Sequence, residues 1–322
     1  MIEQKTIDSQ RVTHSLSLRQ KLLLVAVLVF LPAFAIVVFS GLKLRRDEIA
    51  KLRTNADLVV QNLAAQQEQI ATSTKVLLAI VAQLPPVQHL DAAACNRLFR
   101  ELQDQFPIYS AVLAAATPDG KMFAASKAFA PGSVDLSDRK HFKDAMRTRD
   151  LAAGEAVQGR VSGIQSLNYA FPVLDPQHKP IGVVIAGFRL DEYDRLVEKA
   201  DLPAGYTVTI ADWQGIRLFR TPAGGAETAP GTPIPRDSLT LSSSSDRGMF
   251  ERKGPDGEDR IYVFRQLRLK EHLAPYLYIV VGAPKMEILR DANMQLIINL
   301  SILGVTVGLV LFLTLYFSDE NL

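Results

Sequence analysis

Two long apolar runs without a charged residue constrain this 322-residue chain more than any other feature. The first, LLLVAVLVFLPAFAIVVFS, covers residues 22–40, and the second, LIINLSILGVTVGLVLFLTLYF, covers residues 296–317. A helix rises about 1.5 Å per residue and the hydrocarbon core of a bilayer is about 30 Å thick, so each run is long enough to span a membrane. The sequence therefore predicts two transmembrane helices, at residues 22–40 and 291–317, with both chain termini on the same side.

The first apolar run has a competing interpretation as a secretory signal peptide. The tripeptide AFA at Ala33–Ala35 resembles a cleavage site, but the apolar run continues past it and a polar segment precedes it. Positive charge does not decide the orientation, because Lys and Arg residues lie on both sides of the first run and none follows the second. The orientation is left open at this point.

The composition excludes several classes of function. A formal net charge of +2, without a basic stripe interleaved with aromatic residues, argues against nucleic-acid binding. The chain has one cysteine, Cys95, so no intrachain disulfide forms, and packing in the core is the more common role for such a residue. The five histidines show no metal-ligand spacing, so we expect neither a metal nor another cofactor.

A long helical pattern follows the first apolar run. Apolar side chains recur at steps of three, four and seven as far as Pro85–Pro86, which is typical of an a/d seam about 60 Å long. This seam pairs with a second copy of the chain in a homodimer or packs along its own domain, and both can hold along its length. The seam residues are Leu42, Ile49, Leu52, Ala56, Val59, Leu63, Ile70, Leu77, Val81 and Leu84.

Between the stalk helix and the second apolar run, strand and turn signals occur in two successive sets. Residues 87–200 contain a helical segment at 91–106, the strand pair YSAVLAAATPDGKMFAAS, the helical pattern SDRKHFKDAMRTRD and the strand pair SLNYAFPVLDPQHKPIGVVIAGFRL. Residues 201–290 begin with GYTVTIADWQGIRLFRT and continue through a Gly/Pro/Ser-rich loop into three further strands. The predicted fold class is α+β: a long N-terminal helix that carries two tandem antiparallel-sheet modules, flanked by two transmembrane helices.

The order of these segments resembles the double Cache family of extracytoplasmic sensor domains. The stalk helix, DLSDRKHF, GVVIAGFRLDEY and YTVTIADWQGIRLFR carry the resemblance between the two spans, over residues 42–290. It implies a periplasmic sensor domain at 41–290, made of a stalk helix (41–86), a membrane-distal PAS-like module (87–200) and a membrane-proximal one (201–290). The ligand is expected in the membrane-distal module.

The same resemblance implies a two-pass protein of the bacterial inner membrane. Residues 1–21 then form a cytoplasmic tail, and residues 318–322 begin a cytoplasmic region that leads to an output domain. A sensor histidine kinase is the expected output, with a diguanylate cyclase or chemoreceptor as the alternative. A periplasmic scaffold without a ligand is a third interpretation.

The residues present are not expected to form an enzyme. SDRK, at Ser137–Lys140, matches the S-x-x-K motif of penicillin-binding enzymes, and SLN at Ser166–Asn168 loosely resembles their second motif. No K-T-G follows, and the surrounding chain is too small and too poor in strands for that fold.

The stretch VDLSDRKHF contains the candidate ligand site. Ser137 or Asp135 is expected to cap a helix that begins near Asp138, and an acidic residue suits its first turn, whereas Arg139 and Lys140 do not. Cations there become favourable when an anion is bound beside the free N–H groups of the helix. The alternative is that Arg139 pairs with Asp138 or Asp135 on a solvated face.

The family pattern for this stretch is an acidic residue, arginine, any residue, an aromatic, then Phe or Tyr. Asp138–Phe142 match it with His141 in the place of the usual tyrosine; His141 either titrates near neutral pH or packs against the next side chain. The resemblance implies that Arg139 binds a ligand carboxylate. It also places Tyr169 at a binding aromatic position, and Arg189 where amino-acid-binding members carry an acid. An arginine there would repel an ammonium group, so we expect an organic acid or another small anion as the ligand. The candidate ligand-binding residues are Arg139, His141, Phe142, Tyr169 and Arg189.

Overall fold

The computed structural model describes residues 18–200 and 202–319. Its contacts divide the chain into two compact units, Met1–Ala50 with Glu287–Leu322, and Lys51–Met286. Most of the predicted cytoplasmic tail, and most of the predicted start of a cytoplasmic region after the second span, lie outside the described residues.

Seven α-helices lie in the described ranges. They are α1 (Leu18–Ala82), α2 (Pro85–Gln88), α3 (Ala92–Gln105), α4 (Lys140–Thr148), α5 (Glu192–Glu198), α6 (Arg236–Ser243) and α7 (Lys285–Asp319). Both α1 and α7 contain an apolar window long enough to cross a membrane, by length and composition. Helix α1 ends shortly before Pro85–Pro86, as predicted, because proline supplies no N–H and disfavours helical geometry in the residue before it.

Ten strands form two five-stranded antiparallel sheets in the same part of the chain. The first sheet has the order β2-β1-β5-β4-β3 and the second has the matching order β7-β6-β10-β9-β8. We call these the first module and the second module. Their matching order confirms the predicted α+β fold with two tandem sheets. The strands are β1 (Val112–Ala116), β2 (Met122–Ala125), β3 (Ala152–Gln158), β4 (Gln165–Leu174), β5 (Pro180–Arg189), β6 (Thr207–Asp212), β7 (Arg217–Thr221), β8 (Arg247–Lys253), β9 (Asp259–Leu267) and β10 (Leu277–Pro284).

Helix α3 shows how the sequence sets a boundary. Asp91 is its N-cap, and the Asp91 Oδ1 accepts a hydrogen bond from the Ala94 N–H (3.0 Å). This bond satisfies one of the free N–H groups of the first turn. Cys95 is buried in this helix, and burial raises the pKa of its thiol to about 11. The predicted packing role of this cysteine is confirmed.

In the unit that contains both apolar helices, α1 and α7 approach each other at Gly41. A Cβ atom added to Gly41 would lie 2.5 Å from the Leu296 Cδ1. A larger residue at position 41 would require the Leu296 side chain to shift, and small residues allow membrane helices to pack closely.

The a/d seam of α1 packs within its own chain from residue 52 onwards. Leu52 is 2 % exposed, Leu63 is 3 % exposed and Ala56 is fully buried. Their apolar surface is removed from water without a partner molecule, so the second of the two predicted interpretations holds for this part of the seam. The expected dimer interface along Leu52 and Leu63 is therefore a wrong assignment. The homodimer itself stays a prediction.

Polar groups join α1 to the first module inside the core. The Gln67 Nε2 donates a hydrogen bond to the Tyr169 hydroxyl (2.8 Å), and the Tyr193 hydroxyl donates to the Gln67 Oε1 (3.0 Å). All three side chains are nearly or completely buried. Buried polar groups of this kind fix one register of packing, because any shift leaves them unpaired.

The two modules contact each other through a buried carboxylate at the end of β6. The Asp212 Oδ1 accepts from the Gln214 and Ile216 N–H groups in its own turn (3.0 and 2.9 Å). Its Oδ2 accepts from the Ala156 N–H of β3 in the first module (3.0 Å). One carboxylate therefore stabilises a hairpin of the second module and also links it to the first.

Candidate ligand site in the first module

The segment before α4 runs beside the β1–β2 hairpin. The Met122 N–H donates to the Val134 carbonyl (3.0 Å), and the Leu136 N–H donates to the Gly120 carbonyl (2.8 Å). Gly120 has a φ of +87°, and an added Cβ would lie 2.6 Å from the Ser137 nitrogen. Glycine is required at this position both for the conformation and for the close approach. The hairpin thus sets where α4 begins.

Helix α4 begins later than the sequence predicts. It starts at Lys140, with Arg139 as an N-cap in extended geometry whose side chain makes no capping bond. The Asp135 Oδ1 instead accepts from the Ser137 N–H (2.8 Å), two residues ahead. This local turn uses the side chain that was expected to cap the helix, so Asp138 lies outside the first helical turn.

Asp138 forms a bidentate ion pair with Arg160, in the loop between β3 and β4. The two nitrogen–oxygen distances are 2.9 and 2.7 Å. The Arg160 guanidinium also donates to the Asp135 carbonyl. The hydrogen bonds from Arg160 hold the pKa of Asp138 below its usual range. This pair fastens the β3–β4 loop to the segment that precedes α4.

The alternative interpretation had Arg139 pairing with Asp138 or Asp135. The structure shows neither of these ion pairs among the described residues. Its acidic partner is Glu155, and the Arg139 Nη1 lies 3.9 Å from the Glu155 Oε1. That separation is longer than a hydrogen bond. The Glu155 Oε2 is buried and has no hydrogen-bond partner among the described residues. Arg139 therefore keeps the capacity to donate to an anion.

His141 and Phe142 are both buried. His141 is 2 % exposed; burial, followed by the charge of Arg139, lowers the pKa of its imidazole to about 3. The interpretation in which His141 titrates near neutral pH is therefore wrong. Its Nδ1 has no hydrogen-bond partner in the described part of the chain, and a Cβ added to Gly154 would lie 2.8 Å from that atom. Phe142 belongs to the apolar core of the module.

A cavity, which we call the first cavity, lies between this segment and the sheet. The space open to the centre of a water molecule is about 30 Å³, which is enough for a water molecule but not for an organic ligand. An organic ligand therefore needs part of the lining to move, and the β3–β4 loop forms one wall of the cavity. The side chains that line the cavity are Val112, Ala114, Met122, Leu136, Arg139, His141, Val157, Gln158, Arg160, Val161, Ser162, Asn168 and Ile185.

Tyr169 does not line the first cavity. Successive side chains of a strand point to opposite faces, and on β4 it is Asn168 that faces the cavity, while the Tyr169 hydroxyl accepts its hydrogen bond from Gln67. The structure therefore places Asn168, and not Tyr169, in the lining of the first cavity. Asn168 was missed, although a polar side chain inside an apolar strand is a signal that could have identified it.

Arg189 is also outside the lining of the first cavity. It ends β5 and pairs with Asp191, with the Arg189 Nε 2.8 Å from the Asp191 Oδ1. The carboxylate of Asp191 offsets its charge. Arg189 is therefore not expected to repel the ammonium group of a ligand in the first cavity. The reason given in the sequence analysis for excluding an amino-acid ligand no longer holds.

No protein-family model matches the chain, and no curated protein matches it. The chain does match solved structures. One is the extracellular domain of a predicted histidine kinase, rpHK1S-Z16, with 20% identity, 75% of this chain and 98% of the other covered, and a TM-score of 0.62. Another is the ligand-binding domain of the Campylobacter jejuni chemoreceptor Tlp3 in complex with 4-methylisoleucine, with 14% identity, coverage of 75% and 93%, and a TM-score of 0.55.

A third match is the ligand-binding domain of the Pseudomonas fluorescens chemoreceptor CtaA in complex with L-serine. It has 16% identity, covers 75% of this chain and 99% of the other, and has a TM-score of 0.53. At such identities the likeness shows the fold. The fold of this chain is that of extracytoplasmic sensor domains with two sheets, as the resemblance to the double Cache family predicted.

Proposed function

We propose that this chain is the ligand-sensing input region of a bacterial transmembrane receptor, and that its first module binds a small organic acid. The observation that carries the proposal is Arg139, a half-paired cation in the wall of a cavity beside the start of α4. The shared fold with ligand-binding domains of chemoreceptors supports it.

The chemistry of the first cavity favours an anionic group on the ligand. Arg139 is the N-cap of α4, where the first N–H groups of the helix have no partner within the helix and the helix dipole favours negative charge. The Asn168 amide and the neutral His141 imidazole are further polar contacts in the same wall. A carboxylate bound here would replace the long contact with Glu155 by charge-assisted hydrogen bonds.

An α-amino acid is the second candidate ligand. Glu155 is not among the side chains that line the first cavity, but its carboxylate lies 3.9 Å from Arg139 and would accept from an ammonium group bound beside that arginine; Arg189 is offset by Asp191. The chemoreceptor domains named above are in complex with amino acids, which supports this candidate. Organic acids and amino acids are therefore tested side by side.

The ligand test uses the 322-residue chain in detergent micelles, with succinate, L-malate, L-serine and L-isoleucine as probes. We expect a dicarboxylate to raise the melting temperature. Arg139→Ala should weaken its binding roughly ten- to a hundred-fold, the worth of a charge-assisted hydrogen bond, and Arg139→Lys should restore little of it if the contact is bidentate. Arg97→Ala, which removes an exposed arginine of the same module, is the matched control.

Two results would contradict the ligand proposal. Stabilisation by the amino acids alone would replace the organic acid by the second candidate. If Arg139→Ala leaves the ligand affinity unchanged, the ligand does not bind in the first cavity.

We also propose the topology and the domain boundaries. The sensor region, residues 41–290, lies in the periplasm, with residues 87–200 as the membrane-distal module, and both termini are cytoplasmic. The two apolar helices support two spans. A periplasm-active reporter enzyme fused after Pro230 should be active and one fused at Leu322 inactive. The reverse pattern would contradict the sensor assignment.

For the output, we propose a histidine kinase. The shared fold with the extracellular domain of rpHK1S-Z16 supports this choice, while the chemoreceptor matches support the alternative output. Membranes that contain the native protein should incorporate labelled phosphate from ATP on histidine, and the ligand should change the rate. Methylation of glutamate residues without phosphorylation would favour the chemoreceptor.

A further inference from the structure

The second module carries a cavity on the same face of its sheet as the first. In the first sheet, Ala114 pairs with Ile185 on one side and with Ala125 on the other. In the second sheet, Thr209 occupies the same place, between Val280 and Arg220. The first cavity is lined by Ala114 and Ile185, and the second cavity is lined by their counterparts, Thr209 and Val280. The two cavities therefore occupy equivalent positions.

The second cavity is much the larger of the two. The space open to the centre of a water molecule is about 740 Å³, against about 30 Å³ in the first. Pockets for small organic ligands commonly measure about 300–1,000 Å³. The second cavity therefore has room for an organic molecule without any movement of the chain.

Two arginines of β7, Arg217 and Arg220, line this second cavity. In a regular strand, residues three apart point to opposite faces. Here the pairing with β6 shifts register between Ile210 and Ala211, so that Arg217 pairs with Ala211 and Phe219 pairs with Ile210. The extra residue on β7 reverses the alternation and brings both guanidinium groups to the cavity. The corresponding positions of β2 are Met122 and Ala125, which carry no charge.

Neither arginine has a carboxylate partner in the described part of the chain. The Arg217 Nη1 donates to the carbonyl groups of Glu227 and Pro233 (3.0 and 2.8 Å), and the Arg220 Nη1 donates to the Thr209 hydroxyl (3.2 Å). The Nε atoms of both arginines are buried without a hydrogen-bond partner. Buried charges are normally paired, because an unpaired one is costly. Two adjacent cations that form no ion pair with a carboxylate among the described residues form a site for negative groups.

The rest of the lining supplies more positive charge and an apolar wall. Arg236 and Lys253 add positive charge, and Glu227 is the acidic side chain among the lining residues. Phe250 is stacked on Tyr262, with ring centroids 5.2 Å apart. This wall suits a carbon skeleton, and the volume far exceeds what an inorganic anion fills.

We propose that the second cavity binds an organic anion that carries at least two carboxylate groups. Arg217 and Arg220 hold the carboxylates, and the carbon skeleton lies against Phe250 and Tyr262. This site is separate from the one proposed in the first module, and it does not depend on Arg139. A receptor with both sites reads two ligands, one in each module.

The test is calorimetric titration of the 322-residue chain in detergent micelles with citrate, and in parallel with succinate, sulfate and the uncharged triethyl citrate. Citrate or succinate should bind, and triethyl citrate should not. Arg220→Met keeps the side-chain volume and should weaken binding roughly ten- to a hundred-fold. Arg247→Met removes an exposed arginine of the same module outside the cavity lining and should leave the affinity unchanged. Arg139→Ala should also leave it unchanged.

A second readout does not depend on how the variant folds. Phenylglyoxal modifies arginine side chains, and in the wild-type chain citrate should protect Arg220 but not Arg247, as measured by mass spectrometry. Without ligand, Arg220→Met should melt no lower than the wild type, because it removes a half-buried cation that forms no ion pair with a carboxylate.

Three outcomes would overturn the proposal. If neither citrate nor succinate binds, the second cavity is not a site for organic anions. If citrate and sulfate bind with equal affinity, the apolar wall does not contribute to binding. Citrate binding that is insensitive to Arg220→Met, together with no protection of Arg220, would place the anion elsewhere.

Discussion

Replacing Gln67 by leucine tests how strongly the long helix α1 holds the first module. Gln67 is 1 % exposed, and its amide makes hydrogen bonds to the Tyr169 and Tyr193 hydroxyls at 2.8 and 3.0 Å. Leucine has a similar size and fills the space, but it can neither donate nor accept. Both hydroxyls would then lose this buried partner.

The magnitude follows from these two lost bonds. A buried polar group left without a partner costs about 1–3 kcal/mol, so two hydroxyls cost about 2–6 kcal/mol. The apolar surface that leucine buries offsets about 1 kcal/mol of the upper value, which leaves about 2–5 kcal/mol. For a domain of this size, 1 kcal/mol shifts the melting temperature by about 2–4 °C. Gln67→Leu should therefore lower the melting temperature by about 4–20 °C.

The assay is a thermal melt followed by tryptophan fluorescence, since the chain has a single tryptophan, Trp213. Gln69→Leu is the matched control, because Gln69 is exposed and hydrogen-bonds only to the exposed Ser73 (3.2 Å). It should shift the melting temperature by less than about 2 °C.

A double variant separates this account from a general packing defect. In the Gln67→Leu background, the Tyr169 hydroxyl is already without its partner, so adding Tyr169→Phe should cost nothing further or restore some stability. If the two losses simply add, or if Gln67→Leu melts within 2 °C of the wild type, the hydrogen bonds do not hold α1 to the module.

Three further predictions concern the first cavity and the contact between the modules. Arg160→Ala breaks the ion pair with Asp138, so the β3–β4 loop should open more readily, and stopped-flow measurement should show at least tenfold faster ligand association; an unchanged rate would contradict the loop as the entrance. The pKa of His141 is about 3 when folded and about 6.5 when unfolded, so its contribution to stability is complete above about pH 6.5 and is lost as pH falls toward 3, by up to about 1.4 kcal/mol per pH unit. His141→Asn should flatten the fall in melting temperature between pH 7 and pH 4, and an equally steep fall would refute this. Asp212→Ala removes the acceptor of the Ala156 N–H, so hydrogen–deuterium exchange should rise more than tenfold at that amide; unchanged protection would show that the link is dispensable.

Local sequence signals predicted most of the fold. The uncharged runs lie inside the two longest helices, α1 and α7, while the Pro85–Pro86 stop and the turns near Asp119 and Asp212 correspond to observed boundaries. Strand β3 was not predicted, because AAGEAVQ has a single β-branched residue and pairs only at the edge of its sheet. Helix α6 was not predicted either, because it lies in a Gly/Pro/Ser-rich segment that is typical of a loop.

The candidate sites were harder to predict, because they depend on contacts between distant residues. Asp138 and Arg160 are 22 residues apart, so the local sequence does not show that they pair. Because Asp138 pairs with Arg160, it does not pair with Arg139. Tyr169 points away from the first cavity because successive side chains of a strand alternate between faces. The family pattern, and not this alternation, was used to predict Tyr169 as a ligand contact. Arg217 and Arg220 share a face only because of a register shift that the sequence does not reveal.

The order of strands in each sheet also determines how the protein avoids aggregation. Strand β3 ends the first sheet and β8 ends the second, so neither has a neighbouring strand on its outer side, although on β3 Asp212 accepts from the Ala156 N–H. Strand β8, RGMFERK, carries charged side chains at its two ends, at position 247 and at positions 251–253, which discourage another strand from pairing there. Strand β3 has one charge, but its pairing with β4 is irregular between Ala153 and Ala156, which distorts the edge. Straightening that irregularity would create a smooth, nearly uncharged edge, and it is there that strand-to-strand association between copies of the chain would begin.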